Sequence, residues 1–411
     1  MKKIITSASV VLLGTAGVQA AFAPGLSATE QAKPWSISAS LRGFYDDNIA
    51  TQPSGPLKQD SFGFELKPTF RLNFPMEQTF ANLAYTYDMK YYENRSNSAD
   101  HSHIATASLN HAFAPDYKLD LNESFVVAQE SELIDKDIRT TPLLRLNGNN
   151  INNTASANFE GKIVPKLNFL VGYENRLYDY DDPFYSLALD RMEHMATFNL
   201  RWQVLPETVA ILGYQFGVSD YTAKASGGTD PRWRNSESHF IYLGADQNFT
   251  SQLNGSIRAG MQITEYPNAK EAGSAFTKDN SVSPYVDAKL KYTYTVNSSA
   301  ELGVKHQKSA TDMITGLDQE ATAVYGAINH QILPSLLGTL MSQYQMSHLF
   351  NGLGKFQNLE ENYLTVGAYL DYQINKFLSA ETGYNYDRVD SDNAARSFTR
   401  DRVYLGLRAS Y

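Results

Sequence analysis

Thirteen consecutive residues, 62–74, alternate in character without a break. Phe62, Phe64, Leu66, Pro68, Phe70, Leu72 and Phe74 fall on one face of an extended strand, and Gly63, Glu65, Lys67, Thr69, Arg71 and Asn73 on the other. The run exceeds the ~5–6 residues of an ordinary strand and suits the ~9–11 that a tilted strand needs to cross a bilayer. Seven apolar side chains in a row need either a large second layer or lipid to cover them. Pro68 lies on the apolar face and lacks an N–H, which predicts a bulge or a gap in the ladder there.

The pattern repeats. Ala81, Leu83, Tyr85, Tyr87, Met89 and Tyr91 oppose Asn82, Thr86, Asp88 and Lys90. His194, Ala196, Phe198, Leu200, Trp202 and Val204 oppose Thr197, Asn199, Arg201 and Gln203. Val286, Ala288, Leu290, Tyr292 and Tyr294 oppose Asp287, Lys289, Lys291 and Thr293. The alternation is weakest near Ala321–Ile332 and Leu336–Met346, where both faces are mixed. Short turns centred on Pro75, Pro115, Pro165, Pro206, Ser251, Asn297, Pro334 and Lys376 alternate with longer segments rich in Asn, Asp, Ser and Gly. Those longer segments include Ile49–Asp60, Glu93–Ser102, Ser131–Asn150, Tyr221–Asn235 and Tyr266–Asn280. Strict alternation of short and long connections predicts an all-β, antiparallel, up-and-down transmembrane β-barrel of about 18 strands. Its tight turns would be periplasmic and its long loops extracellular. A solenoid or propeller would need a second apolar layer that the sequence lacks.

Composition agrees once the geometry is considered. A mean hydropathy of −0.38 is expected where only every second residue faces lipid and the rest face a polar interior. The abundance of aromatics, Tyr 26 and Phe 21 against Trp 3, suits girdles at the strand ends. A net charge of −9 speaks against nucleic acid as a partner, and without cysteine there is no disulfide framework or thiolate metal site. Lys2, Lys3, the short apolar stretch Ile4–Val18 and Val18-Gln19-Ala20 read as a cleavable secretory signal. The expected organisation is therefore a signal peptide over residues 1–20, a short periplasmic segment over 21–34 and the barrel over 35–411. The segment before Trp35 is too short for a plug or an energy-coupling domain.

The chain ends Val403-Tyr404-Leu405-Gly406-Leu407-Arg408-Ala409-Ser410-Tyr411. This half-apolar strand closing on an aromatic resembles the last strand of bacterial outer-membrane barrels, with Ala409 where an aromatic is more common. The resemblance implies that Tyr404, Gly406 and Tyr411 belong to a signal read by the barrel-assembly machinery. Tyr45-Asp46-Asp47-Asn48-Ile49, at the end of the first strand and before a polar loop, resembles the first hairpin of the β-barrel porin family of diderm bacteria. That family implies an outer-membrane barrel with a pore, and some of its members lie in exopolysaccharide operons. Read without the resemblance, Asp46-Asp47-Asn48 is a turn cluster at a strand exit.

The charges on the polar face are the candidate pore-lining residues: Arg42, Glu65, Lys67, Arg71, Asp88, Lys90, Glu174, Arg176, Arg201, Arg258, Asp287, Lys289, Lys291, Lys305 and Arg408. Glu160, Glu301, Glu381 and Asp387 share that face. Signs are interleaved, as in Glu65/Lys67 and Asp287/Lys289, so no single-sign ring is expected and the selectivity should be a mild anion preference at most. Ser131–Asn150 carries Leu133, Ile134, Leu143 and Leu144 and could fold into the mouth or pack on neighbouring loops. Asp179, Asp181 and Asp182 have calcium-like ligand types but no EF-hand spacing, which favours a solvated loop. His101 and His103, with Asp100 and Ser102, are placed in an external loop, and His111 and His330 beside short turns.

No nucleophile–base–orienter set is visible, so no enzyme, cofactor or metal is expected. The function expected is a porin-like channel for passive or loop-gated diffusion of small hydrophilic solutes. The alternatives are the barrel of an exopolysaccharide export system or a non-conducting surface-binding barrel. The expected partners are outer-membrane lipid and lipopolysaccharide, the barrel-assembly machinery, a small-solute or polysaccharide substrate, and further copies of the chain.

Overall fold

The structure, a computed structural model, describes residues 33–95, 99–130, 147–223, 230–269, 280–311, 316–351 and 358–411. The expected signal peptide, nearly all of the segment before Trp35 and most of Ser131–Asn150 lie outside the described residues. Eighteen strands follow one another: β1 (Trp35–Asp46), β2 (Ser61–Pro75), β3 (Thr79–Tyr92), β4 (Ala99–Ala114), β5 (Tyr117–Glu130), β6 (Asn147–Val164), β7 (Leu167–Tyr180), β8 (Arg191–Leu205) and β9 (Thr208–Tyr221) form the first half. The second half is β10 (Ser236–Asn248), β11 (Leu253–Glu265), β12 (Asn280–Thr295), β13 (Ser298–Ser309), β14 (Gly316–Leu333), β15 (Leu336–Asn351), β16 (Leu359–Asn375), β17 (Leu378–Ser391) and β18 (Phe398–Ser410). Each pairs antiparallel with the next, and β1 pairs with β18, so the sheet closes on itself. Closure leaves no edge, the condition for β-structure in lipid.

All eight short turns fall where the sequence predicts them, for example Pro165 and Lys166 between β6 and β7 and Asn297 between β12 and β13. Lys166 (φ 71°) and Asn297 (φ 57°) take the left-handed conformation that lets so few residues reverse the chain. Two short elements occupy long connections: helix α1 (Pro183–Leu189) and a 3-10 turn (Pro231–Arg234). The Pro68 expectation is met by a gap, because the β2–β3 register passes from Leu66↔Met89 to Thr69↔Thr86 without Lys67 or Pro68.

The two faces separate as alternation requires. Ile37, Leu41, Phe64, Phe70, Leu83, Val171, Leu212, Ile257, Leu302 and Leu340 stand outward and exposed, and Leu243 and Leu405 are each 68% exposed. Their strand neighbours Ser38, Glu65, Asp88, Asn199, Arg201, Gln262 and Glu381 point inward and are buried. No described helix is long and apolar enough to cross a membrane; the crossing elements are the strands, and lipid is the solvent of the outer face. Near the short turns the outer face carries Trp35, Phe74, Phe113, Trp202, Phe249 and Phe377, an aromatic girdle at the membrane boundary.

The loop side has a different girdle. Tyr85, Tyr173, Tyr214 and Tyr384 each stand six residues after the first residue of their strand. Each hydroxyl meets a polar side chain two residues beyond its register partner on the next strand: His103 at 2.8 Å, His194 at 2.7 Å, His239 at 2.8 Å and Asp401 at 2.5 Å. Tyr87–His101 (2.7 Å), Tyr45–Asp60 (3.0 Å) and Tyr344–Asn362 (3.1 Å) repeat the diagonal. His101 and His103 therefore lie on β4 and not in an external loop, with Asp100 and Ser102 turned to its other face. An external-loop reading misses them because the alternation of β4 continues up to Ala99. His111 and His330 do sit near short turns, bonded to Thr79 Oγ1 (2.7 Å) and the Tyr294 hydroxyl (2.9 Å).

The residues Tyr45-Asp46-Asp47-Asn48 close the barrel at the loop end. Asp46 turns inward to Arg400 on β18, accepting from Nε at 2.9 and 3.0 Å, and also accepts the Asn48 N–H at 3.0 Å. Asp47 accepts the Asp401 N–H (2.6 Å) and Lys58 Nζ (2.5 Å). Asn48, fully buried, donates its amide to the carbonyls of Gln52 and Thr399, both at 2.8 Å. What the sequence offers as a turn cluster is a clasp between the first and last strands. Lower on the same seam Gly406 lies opposite Arg42, where a Cβ would come within 2.7 Å of both Leu41 O and Arg42 Cγ. Tyr411 lies outside the regular strand but exchanges backbone hydrogen bonds with Ile37 (2.9 and 3.3 Å), and its ring stacks on Phe377.

Candidate channel and its mouth

The inner wall is an ion-pair lattice that runs across strands. Arg42 on β1 bridges Glu381 on β17 (2.7 Å) and Glu65 on β2 (2.9 Å), with its guanidinium 4.6 Å from the Tyr404 ring centre. Glu65 also faces Lys90 at 4.0 Å, and Lys67 pairs with Asp88 at 3.0 Å. Farther round, Arg201 reaches Glu160 (3.6 Å) and Asp246 (3.2 Å), and Arg258 meets the same Asp246 at 2.9 Å. Lys289 pairs with Glu301 at 2.7 Å, and Arg176 with Glu174 at 2.8 Å. Asp287 stands opposite Arg258 and Lys305 in the two registers of β12, and Lys291 opposite Glu301. Arg71 and Arg408 lie nearer the turn end, opposite Ser36 and Ser40 on β1.

Apart from Arg176 and Glu174, these pairs join residues of different strands. Lys67 turns to Asp88 on β3 rather than to Glu65, and Lys289 to Glu301 rather than to Asp287. This follows from pleating: residues i and i+2 project side by side, while the cross-strand neighbour is closer. Four members of the lattice lie outside the sequence-derived set of pore charges: Asp46, Asp246, Arg400 and Arg402. Arg402 holds Asp387 at 2.5 Å, and Asp387 also accepts from the Tyr363 and Thr365 hydroxyls (3.1 and 2.8 Å). Extending the alternation of the last strand back from Tyr404 by two further inward positions would have found both arginines.

One sector of the inner wall is apolar. Ile211, Phe240, Tyr242 and Tyr285, flanked by Met195 and Val209, form a buried cluster on the inner faces of β8–β12. The Tyr242 hydroxyl donates to Asn199 Oδ1 at 2.7 Å, so that polar tip is satisfied.

Beside this sector a hairpin leaves the wall. The β12–β13 pairing ends at Val286↔His306, whereas β13 stays paired with β14 up to Ser309. Beyond His306 the chain crosses the inner face of β12 to reach β11. There the Lys308 N–H donates to Gln262 Oε1 (2.8 Å), and Gln262 Nε2 donates back to the Lys308 carbonyl (3.2 Å). Lys308 Nζ binds Ser281 Oγ (2.6 Å) and Asp318 (2.9 Å), and it lies 4.7 Å from the Phe350 ring centre. Thr311 O accepts from Arg234, a residue of the 3-10 turn that is 1% exposed, at 2.6 Å. The Tyr266 hydroxyl also meets Asp318. The loop end of β13–β14 thus lies across the inner wall of β9–β12 at the mouth. The sequence pointed instead to Ser131–Asn150, most of which is outside the described residues.

Asp182 caps α1, receiving the Tyr185 N–H at 3.4 Å, while Asp179 is the penultimate residue of β7 and Asp181 donates its N–H to Asn149 O at 3.0 Å. Among the described residues no three His, Asp or Glu are grouped to hold a metal ion.

Residues 314–411 match the model of a family described as Putative beta-barrel porin 2. None of the curated proteins matches the sequence. Among solved structures the barrel is similar to OccAB3 of Acinetobacter baumannii, at 12% identity and TM-score 0.45 over 92% of this chain and 99% of that one. It is similar to OpdK of Pseudomonas aeruginosa with vanillate, at 12% identity and TM-score 0.46 over 92% and 99%. A third is OccK2 (OpdF) of Pseudomonas aeruginosa in complex with glucuronate, at 11% identity and TM-score 0.46 over 92% and 98%. Likeness this distant leaves solute and selectivity to the residues of this chain.

Proposed function

We propose that the chain is an outer-membrane channel for diffusion of small hydrophilic solutes, with the β13–β14 hairpin narrowing its mouth. The observation that carries this reading is a closed eighteen-strand barrel with an apolar outer face and a charged, hydrogen-bonded inner one. Barrels of about 16–18 strands enclose an aqueous channel, whereas those of about eight are filled by side chains. Arg42, Lys67, Lys90, Arg201, Arg258, Lys289, Lys291, Lys305 and Arg408 would then line the path alongside Glu65, Asp88, Glu174 and Asp287. In this reading Tyr404, Gly406 and Tyr411 form the segment read during insertion, and the loops face outward.

Single-channel conductance of the refolded protein in a planar bilayer, with sugars of graded size, tests the reading. Open steps that small sugars reduce and large ones do not would establish the pore and bound its radius. A folded, heat-modifiable barrel that never conducts would overturn it. Because most inner charges are paired across strands, a salt gradient should give a reversal potential near zero with a small anion bias. Strong cation selectivity would contradict the inner-face assignment of these residues.

A further inference from the structure

We propose that one arc of the outer girdle, on β3–β4, β7–β8 and β9–β10, binds phosphate groups of outer-leaflet glycolipid through three outward histidines, His103, His194 and His239. This inference rests on the outer-membrane reading above. The loop-side girdle is built from one repeated device, but its chemistry differs around the barrel. On the seam side the tyrosines meet carboxylates, Tyr45 with Asp60 and Tyr384 with Asp401. From β3 round to β10 they meet histidines, with Tyr85, Tyr173 and Tyr214 bound to Nδ1 of His103, His194 and His239 at 2.7–2.8 Å. The three ring pairs have nearly the same geometry, with centroids 6.1–6.2 Å apart and planes inclined at 27–29°.

We take the same tautomer at all three pairs, the one in which Nδ1 accepts. A tyrosine hydroxyl at the lipid boundary must donate to something, and the ring Nδ1 is the acceptor in reach. The neutral imidazole then carries its proton on Nε2, at the end of the ring turned away from the tyrosine. Each pair presents one N–H at the level where the apolar belt gives way to the loops. That is the level of lipid headgroups, where tyrosine is the characteristic aromatic. Imidazole N–H bonded to a phosphate oxygen is a charge-assisted contact. The same positions filled by Asp60 and Asp401 on the seam side would repel a phosphate, so binding should be confined to the histidine arc.

The test uses the refolded full-length barrel in detergent and measures retention of diphosphoryl lipid A by native mass spectrometry. The comparison is a triple variant, His103→Phe/His194→Phe/His239→Phe, which keeps an aromatic ring in the girdle and removes the N–H. We expect at least fivefold weaker retention by the triple variant and unchanged retention by Asn362→Leu, which alters the β15–β16 pair. Dephosphorylated lipid A should bind both forms equally and weakly. Equal retention of diphosphoryl lipid A by wild type and triple variant would overturn the proposal. So would retention of the dephosphorylated glycolipid by the wild type as strong as that of the diphosphoryl form, which would show contact with acyl chains only. Competition by millimolar inorganic phosphate without any acyl-chain requirement would show a free-anion site and sink the lipid assignment.

Conductance of the same preparations keeps the two readings apart, since a conducting triple variant with undiminished lipid retention refutes the arc and leaves the channel standing. If the triple variant does not fold, Tyr85→Phe/Tyr173→Phe/Tyr214→Phe serves instead. It frees the rings to turn and should weaken retention at least twofold; no change would also refute the assignment.

Discussion

Replacing Asp46 by Ala should destabilise the folded barrel by about 3–5 kcal/mol, the range for breaking one side of a buried ion pair. Arg400 is left 4% exposed with no carboxylate at its Nε, and Asn48 loses the acceptor of its N–H. The effect should be large because of where the pair sits. Every other strand pairing joins neighbours in sequence, but β1 and β18 meet only after the whole chain is in place. Closing so long a loop costs conformational entropy that the seam must offset by itself. Arg42 crosses the same seam lower down to Glu381, so the seam is bolted at two heights. The measurement is urea unfolding of the refolded barrel, read by heat-modifiable migration. Asp46→Leu with Arg400→Met should recover most of the loss, since an apolar pair of similar volume avoids the unpaired charge. A loss below about 0.5 kcal/mol for Asp46→Ala would place it among ordinary surface changes and remove the clasp from the account.

The seam also shows what was legible in the sequence. Alternation of period two, proline-marked turns and the asymmetry of connections were sufficient for the strand count, the turn positions and the two faces. Those signals are local, and the physics behind them acts on every strand alike. From its local chemistry Asp46-Asp47-Asn48 reads as a turn cluster and not as a clasp, because its partners Thr399, Arg400 and Asp401 lie at the other end of the chain. Asp246 was missed for a related reason: what marks it is its place between Arg201 and Arg258, set by two registers. The inward turn of β13 has no local signal. Lys308 falls in phase with the outward residues Leu302 and Val304, and the alternation offers no hint that the strand leaves the wall after His306. The apolar sector of Phe240, Tyr242 and Tyr285 likewise breaks the rule that inner positions are polar. On a closed barrel an apolar side chain can be covered from inside, and Tyr285, 5% exposed, is.

The largest functional effect is expected from Lys308→Ala. Lys308 and Asp318 hold the loop end of β13–β14 together, and Lys308 also ties it through its ammonium to Ser281 on β12. Burial and the nearby Glu320 already push the Asp318 carboxyl up to about 8, so removing the ammonium 2.9 Å from it leaves a buried carboxyl that favours contact with water even more strongly. The cheaper response is for the hairpin to swing out and let water reach Asp318. The barrel itself should survive, because β13 is bonded to β12 below Val286 and to β14 along its length. With the mouth cleared, single-channel conductance should rise by about twofold, as expected when a constriction rather than the barrel wall sets the resistance. Lys308→Met with Asp318→Leu separates this from a general loosening. It removes both charges and sets an apolar side chain against Phe350, so the hairpin can stay on the inner wall, held by the Gln262 bonds to the Lys308 backbone. Conductance should then return to the wild-type value. If Lys308→Ala conducts like wild type while remaining folded, the hairpin does not set the resistance, and the constriction must lie among the inward charges of the wall.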